Sequence, residues 1–237
     1  ELTPRLVELC RLARAAGIAL TLDTEESERL ELTLELLAAV CRDPSLAGWN
    51  GFGIAVQTYQ KRALPMLKYI VGLAKETSRI LHVRLVKGAY WDAEIKRGQE
   101  RGLPGYPLYT RKPNTDVSYL ACARYVFDQG KDVLYPQFAS HNAHTVAAVA
   151  SMAKKAGFEF EFQRLHGMSM RTSRSTRSSR TRCAPSTGST RSRIRASRSR
   201  STSTSRNART RWVCTSRTAQ CAERWQIAWN RCRVVPG

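Results

Sequence analysis

Five short apolar runs with four intervening helical stretches constrain this 237-residue chain more than any other feature. Ile18 to Asp23, Phe52 to Thr58, Leu81 to Lys87, Tyr135 to Ser140 and Phe158 to Arg164 read as strands, in which successive side chains fall on opposite faces of a sheet. Strands joined through helices need crossover connections, and crossovers give parallel sheets of right-handed topology. Two architectures satisfy this: a doubly wound sheet and a (β/α)8 barrel. The side-chain parity favours the second. Leu20 and Leu22 oppose Thr21 and Asp23, Ile54 and Val56 oppose Ala55 and Gln57, and Phe160 and Phe162 oppose Glu161 and Gln163. A sheet covered on both sides reads as continuous apolar runs, whereas a barrel gathers polar side chains inside its mouth. The pattern predicts an α/β fold, a partial (β/α)8 TIM-type barrel of about five βα units.

The intervening segments carry their own punctuation. Pro4 to Ala16 reads as a helix closed by Gly17, and Thr24 is placed to cap a helix bearing Leu30, Leu34, Leu37 and Cys41. Ala63 to Lys75, Thr115 to Phe127 and Ala143 to Ala156 complete the set, the last closed by Gly157. Gly88 to Pro113, with Gly102, Pro104, Gly105 and Pro107, reads as a long irregular connection of the kind that usually serves function.

Charge divides the chain at Met168. The whole carries a formal charge of +20, which taken alone suggests nucleic-acid binding. Residues 1–168 are nearly balanced, with 22 Lys plus Arg against 18 Asp plus Glu; residues 169–237 hold 17 Arg, no Lys and the single acid Glu223. Two parts are therefore expected: a barrel-like domain over 1–168 and an irregular Arg/Ser-rich basic tail over 169–237, which would adhere to polyanions in a salt-dependent way. Cys10, Cys41 and Cys122 lie on apolar helix faces with no metal-binding spacing, as buried thiols do. No run reaches the 18 or so apolar residues of a membrane span, and the first residues lack a signal-peptide pattern, so an intracellular chain is expected.

Within the first part, Asp23, Gln57, Arg84 with Lys87, His141 with Asn142, and Gln163 all fall at the C-terminal ends of expected strands. An unpaired buried guanidinium is costly, so Arg84 implies a polar cavity in front of its strand. The strand then runs directly into Lys87-Gly88-Ala89-Tyr90-Trp91, a cationic, glycine-broken, aromatic turn.

Arg84 to Trp91 followed by Asp92-Ala93-Glu94-Ile95-Lys96, together with Gly51 to Arg62, Tyr109-Thr110-Arg111-Lys112, Ser140-His141-Asn142-Ala143-His144 and Phe162 to Met168, closely resembles the proline dehydrogenase domain of bifunctional proline utilisation A flavoproteins. The resemblance covers about residues 1–168. It implies a barrel that holds FAD and oxidises L-proline to 1-pyrroline-5-carboxylate, passing electrons to a membrane quinone, in a cytoplasmic protein peripheral to the inner membrane face and often oligomeric. Carried over by position, Arg84, Asp23 and Tyr90 resemble active-site residues: a flavin-side cation, an acidic group and an aromatic wall near the proline ring. Gln57, Arg84, Val86, Lys87, Gly88, Ala89, Trp91, Thr110, Lys112, Ser140, His141, Asn142 and Gln163 match cofactor contacts, with Ser140 standing where many relatives have Thr.

After Met168 the pattern departs. The family continues into an acidic turn, a Leu-Tyr-Glu segment and a helix whose paired arginines bind the proline carboxylate, whereas this chain continues Ser169-Met170-Arg171-Thr172-Ser173-Arg174. The tail reads as a barrel end translated out of frame: suitable codons for Arg174 to Arg177, read one base off, give Leu-Tyr-Glu. A single-base slip near the codons for Met168 to Arg171 is expected, and an intact reading frame in the gene would refute it. Because the resemblance also places family strands and an active-site lysine ahead of Glu1, the isolated chain is expected to be inactive and poorly folded. The aldehyde dehydrogenase activity of the bifunctional relatives is not expected of it. The alternative is a nucleic-acid-binding protein acting through the tail, which offers only Trp212, Trp225 and Trp229 as stacking platforms.

Overall fold

The computed structural model describes residues 2–157, 159–164 and 211–214. Six parallel strands form one sheet: β1 (Leu20–Leu22), β2 (Phe52–Gln57), β3 (Leu81–Val86), β4 (Leu134–Ala139), β5 (Glu161–Arg164) and β6 (Arg211–Cys214). They lie in strict sequence order. A doubly wound sheet reverses direction at a switch point, so an unbroken order of parallel strands belongs to the barrel architecture. The partial barrel expected from parity is what the chain adopts.

β3 shows how the pattern works. Leu81, Val83 and Leu85 are buried against helices, while His82, Arg84 and Val86 are half-buried on the opposite, inner face. On β2 the inner positions are Gly53, Ala55 and Gln57. Gly53 permits a close approach of β2 to β3, because a Cβ there would stand 2.4 Å from the His82 carbonyl oxygen. The outer face of β4 and β5 is sealed by aromatic packing, with Phe127 stacked on Phe138 at 5.1 Å and Phe160 edge-on to Phe138 at 5.8 Å.

The helices are α1 (Leu2–Ala15), α2 (Leu30–Arg42), α3 (Ala63–Glu76), α4 (Trp91–Glu100), α5 (Lys112–Gln129) and α6 (Ala143–Ala156). Gly17 and Gly157 end α1 and α6 with φ of 64° and 72°, the left-handed conformation expected of them. Cys10, Cys41 and Cys122 are buried free thiols. Burial pushes Cys10 up to about 12, and Cys41 and Cys122 up to about 11 each.

Three expectations need correction. Thr24 does not cap α2: its hydroxyl donates to the Ala55 carbonyl at 3.2 Å, and a single 3-10 turn, Ser27–Arg29, leads into the helix. The connection from Gly88 to Pro113 is not irregular throughout, since it contains α4, whose first turn carries Asp92 and Glu94 toward the positive end of the helix dipole. α5 begins at Lys112 rather than Thr115, with Pro113 in its first turn where its missing N–H costs nothing. Within residues 169–237 the described stretch is β6, which pairs Trp212 with Phe162 and Val213 with Gln163 along β5. The domain boundary at Met168 and the frameshift lie outside the described residues.

Arg79 performs a structural task that its charge would not suggest. Buried at the start of β3, it donates to the carbonyls of Leu46 at 2.8 Å and Asp43 at 3.2 Å, closing the turn that follows α2.

Candidate active site

Arg84 occupies the inner face of β3 near its C-terminal end. Its Nε donates to Gln163 Oε1 at 2.8 Å and its Nη1 to Asp23 Oδ1 at 2.9 Å, so residues from three strand ends meet on one guanidinium. The Arg84 side chain is 24% exposed and that of Asp23 is 71% exposed, so the pair sits at the rim of the mouth and contributes little stability. Its value is in orientation. Below it, Gln163 Nε2 donates to Glu161 Oε1 at 2.6 Å, and Tyr135 Oη donates to Glu161 Oε2 at 3.4 Å. Ser140 joins through the backbone, its N–H donating to the Gln163 carbonyl at 3.4 Å.

The glycine turn is built against Tyr59. Gly88 has φ of 150°, and a Cβ there would stand 2.5 Å from the Tyr59 ring. Gln57, only 3% exposed, holds the turn: Oε1 accepts from the Ala89 N–H at 3.0 Å, while Nε2 donates to the carbonyls of Glu25 at 2.8 Å and Thr24 at 3.0 Å. The amide expected to face a ligand is thus committed to backbone on both sides. Val86 faces the interior, and its carbonyl accepts from Thr58 N–H at 2.8 Å. Tyr90 is half-buried at the entry to α4, and its carbonyl accepts the Glu94 N–H at 3.0 Å.

Lys87 and Lys112 converge on Asp116, Lys87 directly on Oδ1 and Lys112 on Oδ2 at 2.9 Å. Hydrogen bonds from both ammonium groups hold the Asp116 carboxyl below the usual carboxylate range. A cavity of about 300 Å³ opens beside them, lined by Tyr59, Gly88, Trp91, Tyr109 and Thr110 as well as the two lysines. Trp91 is fixed at its edge by donation from Nε1 to the Tyr109 carbonyl at 3.1 Å. On the far side, Ser140, His141 and Asn142 form the turn from β4 into α6. Asn142 caps that helix, its Oδ1 accepting from Thr145 N–H at 3.0 Å, and Ser140 Oγ accepts from Asn142 N–H at 3.1 Å.

Three participants were not foreseen: Glu161, Asp116 and Glu94. Strand parity had placed Glu161 on the inner face with Gln163. Glu94 is 3% exposed on α4, where Oε2 accepts from Ser27 Oγ at 2.7 Å and Oε1 from the Ser27 N–H. It ties α4, and with it the glycine turn, to the segment after β1. A second, larger cavity of about 340 Å³ lies beside this tie, walled by Ser27, Arg97 and Tyr106, away from Arg84.

Four buried side-chain polar atoms lack a hydrogen-bond partner among the described residues, Gln60 Nε2 and His82 Nδ1 among them. Nearest the site are Gln137 Oε1, on the strand between Arg84 and Gln163, and Tyr59 Oη, at the cavity beside the Tyr90 backbone. With a paired guanidinium, two lysines and a close-packed glycine turn, they fit a large, partly anionic organic cofactor.

The fold and this mouth define a partial (β/α)8-type barrel with a candidate site at the C-terminal ends of its strands. The chain belongs to the proline dehydrogenase family, whose model matches residues 1–188. It is 54% identical over 170 residues to the bifunctional protein PutA of Salmonella typhimurium and equally to that of Escherichia coli, covering 71% of this chain and 13% of each relative. PutA of Rhizobium meliloti is 50% identical over the same length. The chain therefore spans a small part of these curated relatives. Among solved structures, proline utilization A with proline bound in remote sites is similar at 53% identity and a TM-score of 0.70, covering 73% of this chain and 18% of that one. The protein from Bdellovibrio bacteriovorus inactivated by N-propargylglycine is similar at 36% identity and a TM-score of 0.67, covering 70% and 18%. The family implies a flavin cofactor. Nothing in these matches supports the nucleic-acid-binding alternative. Among the described residues no helix is long and apolar enough to cross a membrane.

Proposed function

We propose that this site oxidises L-proline to 1-pyrroline-5-carboxylate with FAD, the electrons passing to a quinone at a membrane that a cytoplasmic protein meets peripherally. The observation that carries the reading is the Asp23–Arg84–Gln163 chain, a cation held at two points at the mouth of a proline dehydrogenase-family barrel. When bound, FAD supplies the two-electron acceptor for the hydrogen leaving the carbon next to the proline nitrogen, whose N–H proton also departs to leave a C=N bond.

The chain's own residues do the rest. Arg84 is a preorganised positive charge, oriented before any ligand arrives, so no reorganisation is needed as negative charge develops beside it. Lys87 and Lys112 receive the phosphate-bearing part of the cofactor, with Thr110 and Trp91 as walls. Gln57 holds the Gly88–Ala89 backbone where close approach is possible. Asp23 and Tyr90 face the amine and ring of the substrate, and Ser140, His141 and Asn142 close the opposite side.

Anaerobic titration of the FAD-supplemented chain with L-proline tests this. Loss of the oxidised flavin band in a single turnover, with formation of the cyclic imine, is expected. FAD that binds and stays oxidised under excess L-proline refutes the substrate, and failure of a folded chain to quench FAD fluorescence refutes the cofactor. Loss of the flavin band would overturn the expectation, drawn from the sequence, that the isolated chain is inactive, and steady-state dye reduction with L-proline tests the same expectation.

A further inference from the structure

The Arg84 guanidinium does not set its own orientation; it is set from beneath. Gln163 is the direct support, with its Oε1 accepting from Arg84 Nε at 2.8 Å. A glutamine amide has two unlike ends, and rotation by half a turn would aim its NH2 group at a guanidinium that can only donate. Something must exclude that rotamer. Glu161 does so: two residues earlier on β5 and on the same face, it accepts from Gln163 Nε2 at 2.6 Å. A carboxylate can only accept and a guanidinium can only donate, so Gln163 between them has one orientation. Glu161 is itself fixed, 6% exposed, with Tyr135 Oη donating to its other oxygen at 3.4 Å.

We infer that Glu161 is a positioning residue for the site: acting through Gln163, it selects the amide orientation that holds Arg84 toward the mouth of the barrel. Its two carboxylate oxygens are taken by Gln163 and Tyr135. The inference rests on the reading of Arg84 as the cation of a flavin-dependent proline oxidation, but the geometry it invokes is present without either ligand. Asp23 cannot substitute as the determinant, because its carboxylate is 71% exposed and engages Nη1 rather than Nε.

Two variants of the full chain separate this from a merely structural role. Glu161→Gln keeps a carbonyl oxygen that can accept from Gln163, whereas Glu161→Leu removes the acceptor and keeps the bulk. The first readout needs no ligand: nitrogen-15 NMR of the Arg84 Nε–H, assigned by its loss in Arg84→Lys. In Glu161→Leu its hydrogen exchange is expected to accelerate about tenfold or more, and in Glu161→Gln to stay near the parent value. The second readout is the rate of flavin bleaching by L-proline, expected to fall about 100-fold in Glu161→Leu with the half-saturating proline concentration changed no more than about threefold, the signature of a misplaced group rather than lost binding. Adding Glu161→Leu to Gln163→Leu should cost nothing further if the two act in series. An Arg84 Nε–H signal that ignores Glu161→Leu, or a double variant whose losses multiply, overturns the inference. A parent chain that fails to bleach overturns the proposed reaction instead, and the NMR readout still decides the role of Glu161.

Discussion

Removing the Glu94 carboxylate should loosen α4 and the glycine turn together. In the folded chain this buried group accepts two hydrogen bonds from one residue, the backbone N–H and the hydroxyl of Ser27, while Arg62 Nη2 donates to the Ser27 carbonyl at 2.6 Å from the other side. Hydrogen bonds to an ionised acceptor contribute about 1.5–3 kcal/mol each, giving about 3–6 kcal/mol for the pair if Ser27 were left dry. It would not be left dry, because the cavity of about 340 Å³ alongside admits water to the freed donors. The lower end, about 3 kcal/mol, is the expected cost of Glu94→Ala, or a fall in Tm of roughly 6–12 °C for a chain of this size. Glu94→Gln, which keeps one acceptor but turns an NH2 toward the other donor, should cost about 1–2 kcal/mol. The Arg97 and Arg101 pairs with Glu28 are solvated and cannot take over. Urea unfolding followed by circular dichroism, run as a double-mutant cycle with Ser27→Ala, reads the coupling directly. An Ala variant within about 1 kcal/mol of the parent, or a coupling energy below about 0.5 kcal/mol, would refute the reasoning.

Three further outcomes are expected. Burial holds the His82 imidazole below its ordinary value, so the unfolded chain binds the proton first; stability from this group is complete above about pH 6.5 and lost as the pH falls through it, and the urea midpoint should drop between about pH 7.5 and pH 5.5 less steeply in His82→Gln than in the parent. Gly88→Ala would place a methyl 2.5 Å from the Tyr59 ring at a φ of 150°, so a loss of about 1–3 kcal/mol and weaker FAD fluorescence quenching are expected; an unchanged melting curve would contradict the geometry. Cys10, Cys41 and Cys122, whose thiols are raised well above neutrality by burial, should resist iodoacetamide at about pH 8 in the native chain and react in urea, as peptide mass spectrometry would show.

Strand identity, parallel pairing and the inner face were legible because each rests on local periodicity, and Asp23, Arg84 and Gln163 were legible as strand-end polar residues. Their meeting on one guanidinium was not, since it depends on register across the sheet. α4 was missed for a physical reason: apart from Ile95 it shows little apolar periodicity, and its anchor is a buried carboxylate on Ser27 rather than a hydrophobic stripe. Arg79 and Asp116 were hidden similarly, because a charged residue reads as solvated until its partner, supplied by a distant segment, comes into view. Gln57 illustrates the converse: a polar strand end that reads as a ligand contact is held by backbone from two directions.

Because every strand pairs with the one before it in sequence, the sheet can grow by accretion, each new unit docking on an edge already formed. The steps are unequal. Residues 58–80 connect β2 to β3, whereas residues 87–133, about twice as many, connect β3 to β4. Doubling a connection adds about 0.6 kcal/mol of closure entropy, which slows a docking step limited by closure about threefold. β1 to β3 should therefore assemble ahead of β4, with Arg84 in place on an open edge before Gln163 arrives to orient it.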